Sequence, residues 1–281
     1  MILVFGKTGQ VARELQALAP HAHYASREEA DLADPESCAR LVRDIAPEGV
    51  VNAAAYTAVD RAEEEAGLAQ TVNAEAPDVI ARACAELGIP LVHISTDYVF
   101  DGAGEAPFGV DDPIAPQNAY GRTKAEGEAA VRASGANHAI IRTSWVFSPY
   151  GNNFVKTMLR LGNERESLSI VADQIGGPTP ARAIAQTCLA ALDSITRDPS
   201  LSGTYHLSGA PDVSWADFAR AIFESAGLEV AVDGIPTSAY PTPATRPLNS
   251  RLDNSSLAAI GVERPEWRPA LAPIIEDFQP Q

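Results

Sequence analysis

MILVFGKTGQVA, residues 1–12, is the stretch that decides the fold of this chain. The apolar run up to Phe5 predicts a buried strand, and the helical spacing of apolar residues after Gly9 predicts a helix. Gly6 permits a sharp turn between them, Gly9 lets a ligand approach the backbone, and Ala12 lets the helix pack closely on the strand. Because the first N–H groups of a helix can bind anions, the stretch predicts a site for the pyrophosphate of a dinucleotide.

This glycine loop has two alternative interpretations. Its spacing is GxxGxxA and not the GxGxxG of many dinucleotide-binding loops, so a plain strand-to-helix turn stays open. Gly-Lys-Thr at 6–8 also fits part of a phosphate-binding P-loop, but that motif needs a glycine where Met1 stands. We therefore predict dinucleotide contacts and reject the ATPase interpretation. The predicted contacts are Gly6, Thr8, Gly9, Gln10 and Val11.

Strands and helices alternate beyond the glycine loop. Asp34 is expected to cap a helix, and another helix is expected over residues 74–87. Parallel strands need crossover connections, which such helices provide. We therefore predict an α/β fold with a doubly wound parallel sheet of the Rossmann type. Its strands are expected over residues 2–5, 50–53, 91–95 and 139–142.

The pattern changes after residue 147 and predicts a second, smaller α/β lobe at the C-terminal side that binds the substrate. Ser214 followed by Asp217 is typical of a capping box, and the four prolines within 236–250 predict an extended loop. The predicted division gives the dinucleotide-binding domain residues 1–147, with later segments near 178–208 returning to it. The substrate lobe is assigned residues 148–177 and 209–281.

Composition and charge exclude several classes of protein. The chain has 281 residues and a formal net charge of −16, which disfavours binding to a nucleic-acid backbone. The three cysteines do not form a CxxC pair, so a disulfide framework or a zinc site is not expected. Neither a signal peptide nor a membrane span is indicated. These features predict a cytoplasmic protein that acts on small molecules.

The end of the second predicted strand bears on the choice of dinucleotide. An acidic residue there would bind the ribose 2′-hydroxyl of NAD, but Ser26 and Arg27 stand in its place and the first acid is Glu28. This pair favours NADPH, although NADH stays open because an exposed arginine is commonly a surface residue. The other predicted cofactor contacts are Asp31, Leu32, Ala53, Ala54 and Ala55.

Tyr120 and Lys124 form the candidate catalytic pair. Their spacing of four places both side chains on one face of a helix that is expected to begin near Asn118. An ammonium beside a phenol favours the phenolate, so Lys124 is expected to lower the pKa of Tyr120. Such a pair alone also fits a solvated helix face. Thr96, at the end of a predicted strand, adds a hydroxyl that can hold a substrate carbonyl, and the combination predicts a reductase.

These residues are similar to the short-chain dehydrogenase/reductase superfamily, in its extended branch that acts on sugar nucleotides. Within that branch the chain resembles the dTDP-4-dehydrorhamnose reductases over nearly its whole length. The matching segments are 6–10, 51–55, 95–100, 120–124, 142–147, 151–154, 173–174, 178–179 and 246–252.

The resemblance implies reduction of dTDP-4-dehydro-L-rhamnose at C4, with hydride from the nicotinamide. It implies that Tyr120 protonates the carbonyl oxygen, Thr96 orients it, Lys124 holds the ribose, and Asp97 lies close by. Thr57, Val59 and Trp145 are then expected to line the sugar pocket. Asn153, Arg246 and Arg251 are candidates for the nucleotide end. Trp145 as a core residue and Arg251 as a surface ion-pair partner are the alternatives.

One position departs from the family. Some members are described as dimers bridged by magnesium through acidic residues, and Glu14 stands where one such acid is expected. Arg182 replaces another, and a cation there opposes metal binding. We therefore predict no metal requirement, and either a monomer or a homodimer.

Two rival functions remain at this point. A nucleotide-sugar epimerase or 4,6-dehydratase would share the fold, but a dehydratase needs a second acid where Tyr98 follows Asp97. A non-catalytic regulatory subunit on the same fold is the other rival. The presence of Thr96, Tyr120 and Lys124 together favours the enzyme.

Overall fold

The computed structural model describes residues 1–278, and its secondary structure follows the predicted alternation. The strands are Ile2–Phe5 (β1), His23–Ala25 (β2), Gly49–Asn52 (β3), Leu91–Thr96 (β4), His138–Thr143 (β5), Val146–Phe147 (β6), Ser167–Val171 (β7), Ile175–Gly176 (β8), Thr179–Pro180 (β9), Gly203–Leu207 (β10), Val213–Ser214 (β11), Ala231–Ile235 (β12) and Asn249–Ser250 (β13). The α-helices are Gln10–Leu18 (α1), Pro35–Ile45 (α2), Arg61–Glu64 (α3), Ala66–Gln70 (α4), Ala76–Leu87 (α5), Ala119–Ala133 (α6), Phe154–Glu164 (α7), Ala181–Arg197 (α8), Trp215–Ala226 (α9) and Ala272–Phe278 (α10).

A six-stranded parallel sheet forms the centre of the molecule, in the order β10-β5-β4-β3-β1-β2. The strand order runs outward in both directions from the middle, as in a doubly wound fold. The prediction of a parallel α/β sheet is therefore confirmed. β10 comes from the later part of the chain and completes one edge of the sheet.

Both faces of this sheet are covered by helices. Successive residues of a strand point to opposite faces, so Leu3 and Phe5 join one core and Val4 joins the other. The first core holds residues of α2 and α5, such as Val42 and Ile80, and the second holds residues of α1 and α8. This double burial explains why the strands are continuous apolar runs and do not alternate.

A third core lies outside the sheet, in the C-terminal part of the chain. It is formed mainly by α7, α9 and α10, and its largest fully buried side chain is Trp267. Ser214 accepts a hydrogen bond from the backbone N–H of Asp217 at 3.0 Å, which is the predicted cap of α9. Gly227 ends α9 in the left-handed conformation. The division into two domains stays a prediction, and residues 279–281 of the predicted lobe lie outside the described residues.

Three local expectations differ from the structure. Asp34 precedes α2, but its side chain makes no capping hydrogen bond. The helix expected over residues 74–87 begins with a π-helical turn, Thr71–Glu75, before α5. The expected loop over 236–250 contains a 3₁₀ turn, Thr237–Ala239, and ends in β13. Within residues 1–278, none of the helices combines the length and the apolar character needed to cross a bilayer.

Candidate active site

A cleft of about 720 Å³ lies at the carboxyl ends of the central strands. Gly6 follows β1, Ala53 follows β3 and Asp97 follows β4, so the loops after these strands form its wall. Ligands of doubly wound folds bind at this edge of the sheet. The cleft therefore lies where the sequence predicted the site.

The glycine loop forms one end of the cleft. Gly6 has a φ of +106°, and a Cβ there would lie 3.4 Å from the backbone of Ala53, so a larger residue would be strained as well as crowded. Gly9 is the N-cap of α1 and offers no side chain to satisfy the first N–H groups of the helix. These free donors fit the pyrophosphate of a dinucleotide. All five predicted loop contacts, Gly6, Thr8, Gly9, Gln10 and Val11, line the cleft.

The predicted adenosine end lies beside β2. Strand β2 ends at Ala25, so Ser26 and Arg27 come directly after it and line the cleft. The Arg27 Nε forms a long ion pair with Asp31 at 3.9 Å. The side chain is 87% exposed, so the guanidinium can exchange this partner for a phosphate. The remaining predicted contacts, Asp31, Leu32, Ala53, Ala54 and Ala55, also line the cleft.

Helix α6 brings the catalytic pair to the opposite wall. Asn118 caps the helix by accepting a hydrogen bond from Gly121 N–H at 2.8 Å, as its position before the first turn predicts. Tyr120 and Lys124 therefore point to one side, toward Thr96 at the end of β4, and all three line the cleft. The ring of Tyr98 packs edge-on against that of Tyr120, with centroids 5.5 Å apart.

The pKa shifts of the pair differ from the expectation. Burial raises the pKa of Tyr120, and the neighbouring Thr96 hydroxyl only partly opposes the rise. The predicted lowering of the Tyr120 pKa by Lys124 is wrong for this structure, because Lys124 Nζ donates to the carbonyl oxygen of Ile94 at 2.7 Å and is directed at the strand. Burial lowers the pKa of Lys124 itself to about 8.

Buried oxygen atoms mark the floor of the cleft. Asp97 is buried, and its burial raises its pKa to about 6, while the hydroxyls of Ser250 and Thr96 lower it in part. Within residues 1–278, three lining oxygens lack a hydrogen-bond partner: Ser95 Oγ, Asp97 Oδ2 and Thr143 Oγ1. Leaving a buried polar group unpaired costs about 1–3 kcal/mol. These atoms therefore fit polar groups of a bound cofactor and substrate.

The predicted sugar pocket lies next to this floor. Thr57, Val59 and Trp145 all line the cleft. Trp145 has a φ of +47°, which is uncommon for a large residue, and its indole stacks on Trp215 with centroids 3.6 Å apart. The stacking fixes the ring, so that Trp145 is both packed and exposed to the cleft. Trp145 thus combines the two alternatives, core residue and pocket wall, that the sequence left open.

The three residues proposed for the nucleotide end lie outside the lining of the cleft. Asn153 caps α7 and donates a hydrogen bond to Gln10 Oε1 at 2.9 Å. Arg246 is paired with Asp60 at 2.6 Å. The guanidinium of Arg251 donates to its neighbour Asn249 at 3.0 Å. Their role in binding the nucleotide stays a prediction.

Comparison with known proteins identifies the family. Residues 1–279 match the model of the RmlD substrate binding domain. The dTDP-4-dehydrorhamnose reductase of Burkholderia thailandensis is 47% identical over 296 residues, which cover 100% of this chain and 99% of the relative. The reductase of the same name from Escherichia coli is 44% identical over 95% of this chain and 94% of its own length. This chain belongs to the dTDP-4-dehydrorhamnose reductase family.

Solved structures of the family have the same fold. The dTDP-4-dehydrorhamnose reductase of Bacillus anthracis, solved in complex with NADP, is 35% identical and superimposes with a TM-score of 0.91 over 99% of both chains. That of Clostridium acetobutylicum is 37% identical, with a TM-score of 0.90 over 98% of both chains. The predicted family and the predicted Rossmann-type fold class are confirmed. UDP-glucose 4-epimerase of Thermus thermophilus, 21% identical, shares the fold alone.

Arg182, which departs from the pattern of the dTDP-4-dehydrorhamnose reductases, forms an ion pair with Glu14. Arg182 Nη1 lies 3.4 Å from Glu14 Oε2, where the carboxylate is buried and the guanidinium is largely exposed. The Arg182 guanidinium therefore lies against the carboxylate of Glu14, the residue that the sequence analysis named as a possible metal ligand. No group of three or more metal-ligating side chains occurs in the part of the chain that the structure describes.

Several site residues of this family member were missed by sequence reasoning. Lys7, Ser95, Tyr98, Thr143 and Ser144 also line the cleft. All five lie within segments that already matched the family in sequence, so their position was a usable signal. Gly151 and Asn152 also line the cleft. Trp215 gave no signal, because its contact with Trp145 joins elements far apart in the chain.

Proposed function

We propose that this protein catalyses the NADPH-dependent reduction of the 4-keto group of dTDP-4-dehydro-L-rhamnose, which yields dTDP-L-rhamnose. One observation carries the proposal. Thr96, Tyr120 and Lys124 converge on a single cleft in a chain 47% identical to a reductase of that name. NADH is the alternative donor. The exposed guanidinium of Arg27 next to Ser26 favours NADPH, since it suits a 2′-phosphate.

The bound nicotinamide supplies a hydride to C4 of the sugar, so the protein has to supply one proton to the carbonyl oxygen. Tyr120 is the donor, because burial raises its pKa and keeps the phenol protonated at neutral pH. As negative charge grows on the carbonyl oxygen, the phenol becomes the nearest acid and releases its proton to it. The product is the alcohol, and the phenolate takes up a proton afterwards.

The neighbours of Tyr120 orient the substrate. The Thr96 hydroxyl accepts a hydrogen bond from Tyr98 N–H at 3.2 Å, which fixes it at the end of β4 beside the phenol. We infer that it holds the same carbonyl oxygen. Lys124 lies one turn further along α6 than Tyr120 and lines the same cleft, and we infer that it holds the cofactor ribose. The sugar is then enclosed by Thr57, Val59, Asp97 and Trp145, with Asn153, Arg246 and Arg251 toward the nucleotide.

Replacing Tyr120 with phenylalanine tests the proposal. Tyr120→Phe removes only the acidic hydroxyl, and the loss of one general acid lowers kcat by about 10²–10⁴-fold. The measurement is NADPH oxidation on addition of dTDP-4-dehydro-L-rhamnose, with identification of the product. Tyr205→Phe is the matched control, because Tyr205 belongs to the central sheet and its hydroxyl is bound to the carbonyl oxygen of Leu201. Equal activity of both variants contradicts the assigned role of Tyr120.

The same assay separates the rival functions. Stoichiometric consumption of added NADPH excludes an epimerase or dehydratase, which returns the hydride to the sugar from a retained cofactor. A protein without turnover under any cofactor would instead support the regulatory interpretation. The comparison of NADPH with NADH in this assay decides the preferred donor.

We further propose that the enzyme needs no metal ion and acts as a monomer or homodimer in the cytoplasm. The ion pair of Arg182 with Glu14 supports the first part, because it neutralises the carboxylate that would bind the metal. Activity that survives exhaustive chelation supports this, and restoration by magnesium alone contradicts it. Sedimentation before and after chelation measures the assembly state.

A further inference from the structure

Behind Lys124, away from the cleft, lies a short chain of buried polar groups that the proposed mechanism does not use. His93 on β4 is completely buried, and its two ring nitrogens have different neighbours. Nδ1 lies 3.2 Å from Nδ2 of Asn52, and Nε2 lies 3.3 Å from Nζ of Lys124. Asn52, His93 and Lys124 therefore form a chain of polar contacts, called the relay below, from the end of β3 to α6.

The orientation of Asn52 is fixed by the backbone. Its Oδ1 accepts the N–H of Ala54 at 3.2 Å, and a backbone N–H can only donate. The amide nitrogen of Asn52 must then face His93. Since an amide nitrogen is a donor only, Nδ1 of His93 has to accept and carries no proton.

The tautomer of His93 follows from this contact. A neutral imidazole has one protonated nitrogen, so the proton is on Nε2, which faces Lys124. Burial and the nearby Lys124 both lower the pKa of His93, so the ring stays neutral. An N–H group thus points at Lys124 Nζ. An ammonium has no acceptor, whereas a neutral amine has a lone pair that can accept this hydrogen bond.

We propose that Asn52 and His93 are positioning residues that present an N–H to Lys124 and thereby favour its neutral amine form. Lys124 then donates to Ile94 O at 2.7 Å and accepts from His93, which fixes the amine against β4. The inference deepens the proposed function, because it concerns the protonation of a residue of the same site. Its consequence is that the relay sets the pH at which Lys124 gains its charge.

Other charged and titratable groups around Lys124 are few. Glu128 lies one turn further along α6 and raises the pKa of Lys124, but it is itself held by Arg142 of β5 at 2.8 Å. Tyr120 on α6 and Asp97 after β4 share the cleft with Lys124. Burial keeps the Tyr120 phenol neutral, whereas Asp97, with a pKa of about 6, is mostly ionised at neutral pH. Of these groups, His93 is the one whose ring nitrogen lies within hydrogen-bond distance of Lys124 Nζ, at 3.3 Å.

The relay is tested first by the imidazole tautomer. Nitrogen-15 NMR of the cofactor-free wild-type protein distinguishes a proton on Nε2 from one on Nδ1, and needs no turnover. We expect His93 to be the Nε2–H tautomer. An Nδ1–H tautomer or a charged ring overturns the proposal, whereas a failure of the reductase assay would leave this result unaffected.

Asn52→Asp reverses the direction of the relay. A carboxylate accepts from both Ala54 N–H and His93, so the imidazole proton should move to Nδ1 and leave Nε2 as an acceptor for the Lys124 ammonium. We expect the titration midpoint of Lys124, followed by carbon-13 NMR of its Cε, to rise by about one pH unit or more. The alkaline limb of the pH profile of kcat/KM should move with it.

Asn73→Asp is the matched control for the added charge. Asn73 is also fully buried, and its side chain hydrogen-bonds to the backbone of Tyr56 and to Thr123 Oγ1 of α6, and not to His93. A comparable rise of the Lys124 midpoint in this variant would assign the effect to charge alone and overturn the relay. If Asn52→Asp does not fold, the wild-type tautomer and His93→Gln, which keeps a side-chain N–H donor and should keep the Lys124 midpoint, decide the question.

Discussion

At the scale of single residues, burial sets the chemistry of the cleft. It raises the pKa of Tyr120 and of Asp97 and lowers that of Lys124, so each group is biased toward its uncharged form. Tyr120 therefore retains the proton that a reduction has to deliver. The charge that develops on a substrate oxygen therefore finds a protonated phenol as its proton source.

The raised pKa of Asp97 should make the stability of the protein depend on pH. Its pKa rises from 3.8 to about 6 in the folded protein, so between about pH 4 and pH 6 the folded state binds a proton that the unfolded state has released. The free energy of unfolding should therefore fall as the pH rises through this window. Asp97→Asn removes this titration. Between about pH 4 and pH 6, the free energy of unfolding of the wild type should fall by about 3 kcal/mol more than that of Asp97→Asn.

Denaturant unfolding of both proteins at a series of pH values measures this difference. The exposed Asp111 provides the control, since Asp111→Asn should leave the pH dependence of stability unchanged. Parallel curves for the wild type and Asp97→Asn would contradict the raised pKa of Asp97.

Most residues of the catalytic site could be predicted from the sequence, but their pKa shifts could not. The pattern after Gly6, the spacing of Tyr120 and Lys124, and the hydroxyl at Thr96 predicted side chains that the fold does bring to one cleft. The direction of the Tyr120 shift could not be predicted, because spacing along a helix does not reveal that Lys124 Nζ turns to Ile94 O. Rotamers and burial depend on contacts between distant segments.

At the scale of elements, the close approach of α6 to its neighbours positions the catalytic pair. A Cβ on Gly121 would lie 2.1 Å from Tyr98 O, and one on Gly127 would lie 2.0 Å from Asn73 O. The absence of both side chains lets the helix lie directly on the backbone beside it. The buried carboxylate of Glu128, held by Arg142 at 2.8 Å, adds a fixed contact to β5.

Gly127→Ala tests this close packing. The added methyl meets backbone and cannot be accommodated by turning a side chain, so we expect a loss of about 1–3 kcal/mol in the free energy of unfolding. Gly67→Ala is the matched control, because its Cβ would meet nothing within 4 Å and a helical alanine loses less chain entropy. This control should gain about 0.4–1 kcal/mol.

Thermal or denaturant unfolding of the two variants gives the comparison. A Gly127→Ala protein as stable as the wild type would show that α6 can shift without cost. If Gly127→Ala unfolds at a lower temperature or denaturant concentration than the wild type and Gly67→Ala does not, the close approach of α6 contributes to stability.

Element boundaries were predictable where local signals are strong. The β-branched runs of β1, β4 and β5 and the Asn118 cap of α6 are local, and the structure has them where expected. The π-helical turn Thr71–Glu75 was not predictable, since it depends on how the chain packs on α6. Short strands such as β6 and β9 likewise exist only as partners of each other.

At the scale of the whole molecule, the cleft joins parts of the chain that are distant in sequence. Its lining runs from Gly6 in the glycine loop to Asn152 just before α7, and Trp145 in its wall is stacked on Trp215 of α9. A ligand that fills the cleft therefore adds contacts between these parts only in the folded state. Binding and global stability are thus linked.

This linkage predicts the effect of the cofactor on thermal unfolding. NADPH at about 100 times its Kd should stabilise the protein by about 2.7 kcal/mol, which raises the Tm of a chain of this size by about 5 °C. Arg27→Ala should reduce the rise in Tm with NADPH and leave the rise with NADH nearly unchanged, because the side chain is 87% exposed and lines the cleft next to Ser26. Arg40→Ala is the control, since Arg40 is an exposed arginine outside the lining of the cleft. Calorimetry with each dinucleotide measures these shifts, and an equal loss with NADPH and NADH in Arg27→Ala would contradict the assignment of Arg27 to the phosphate.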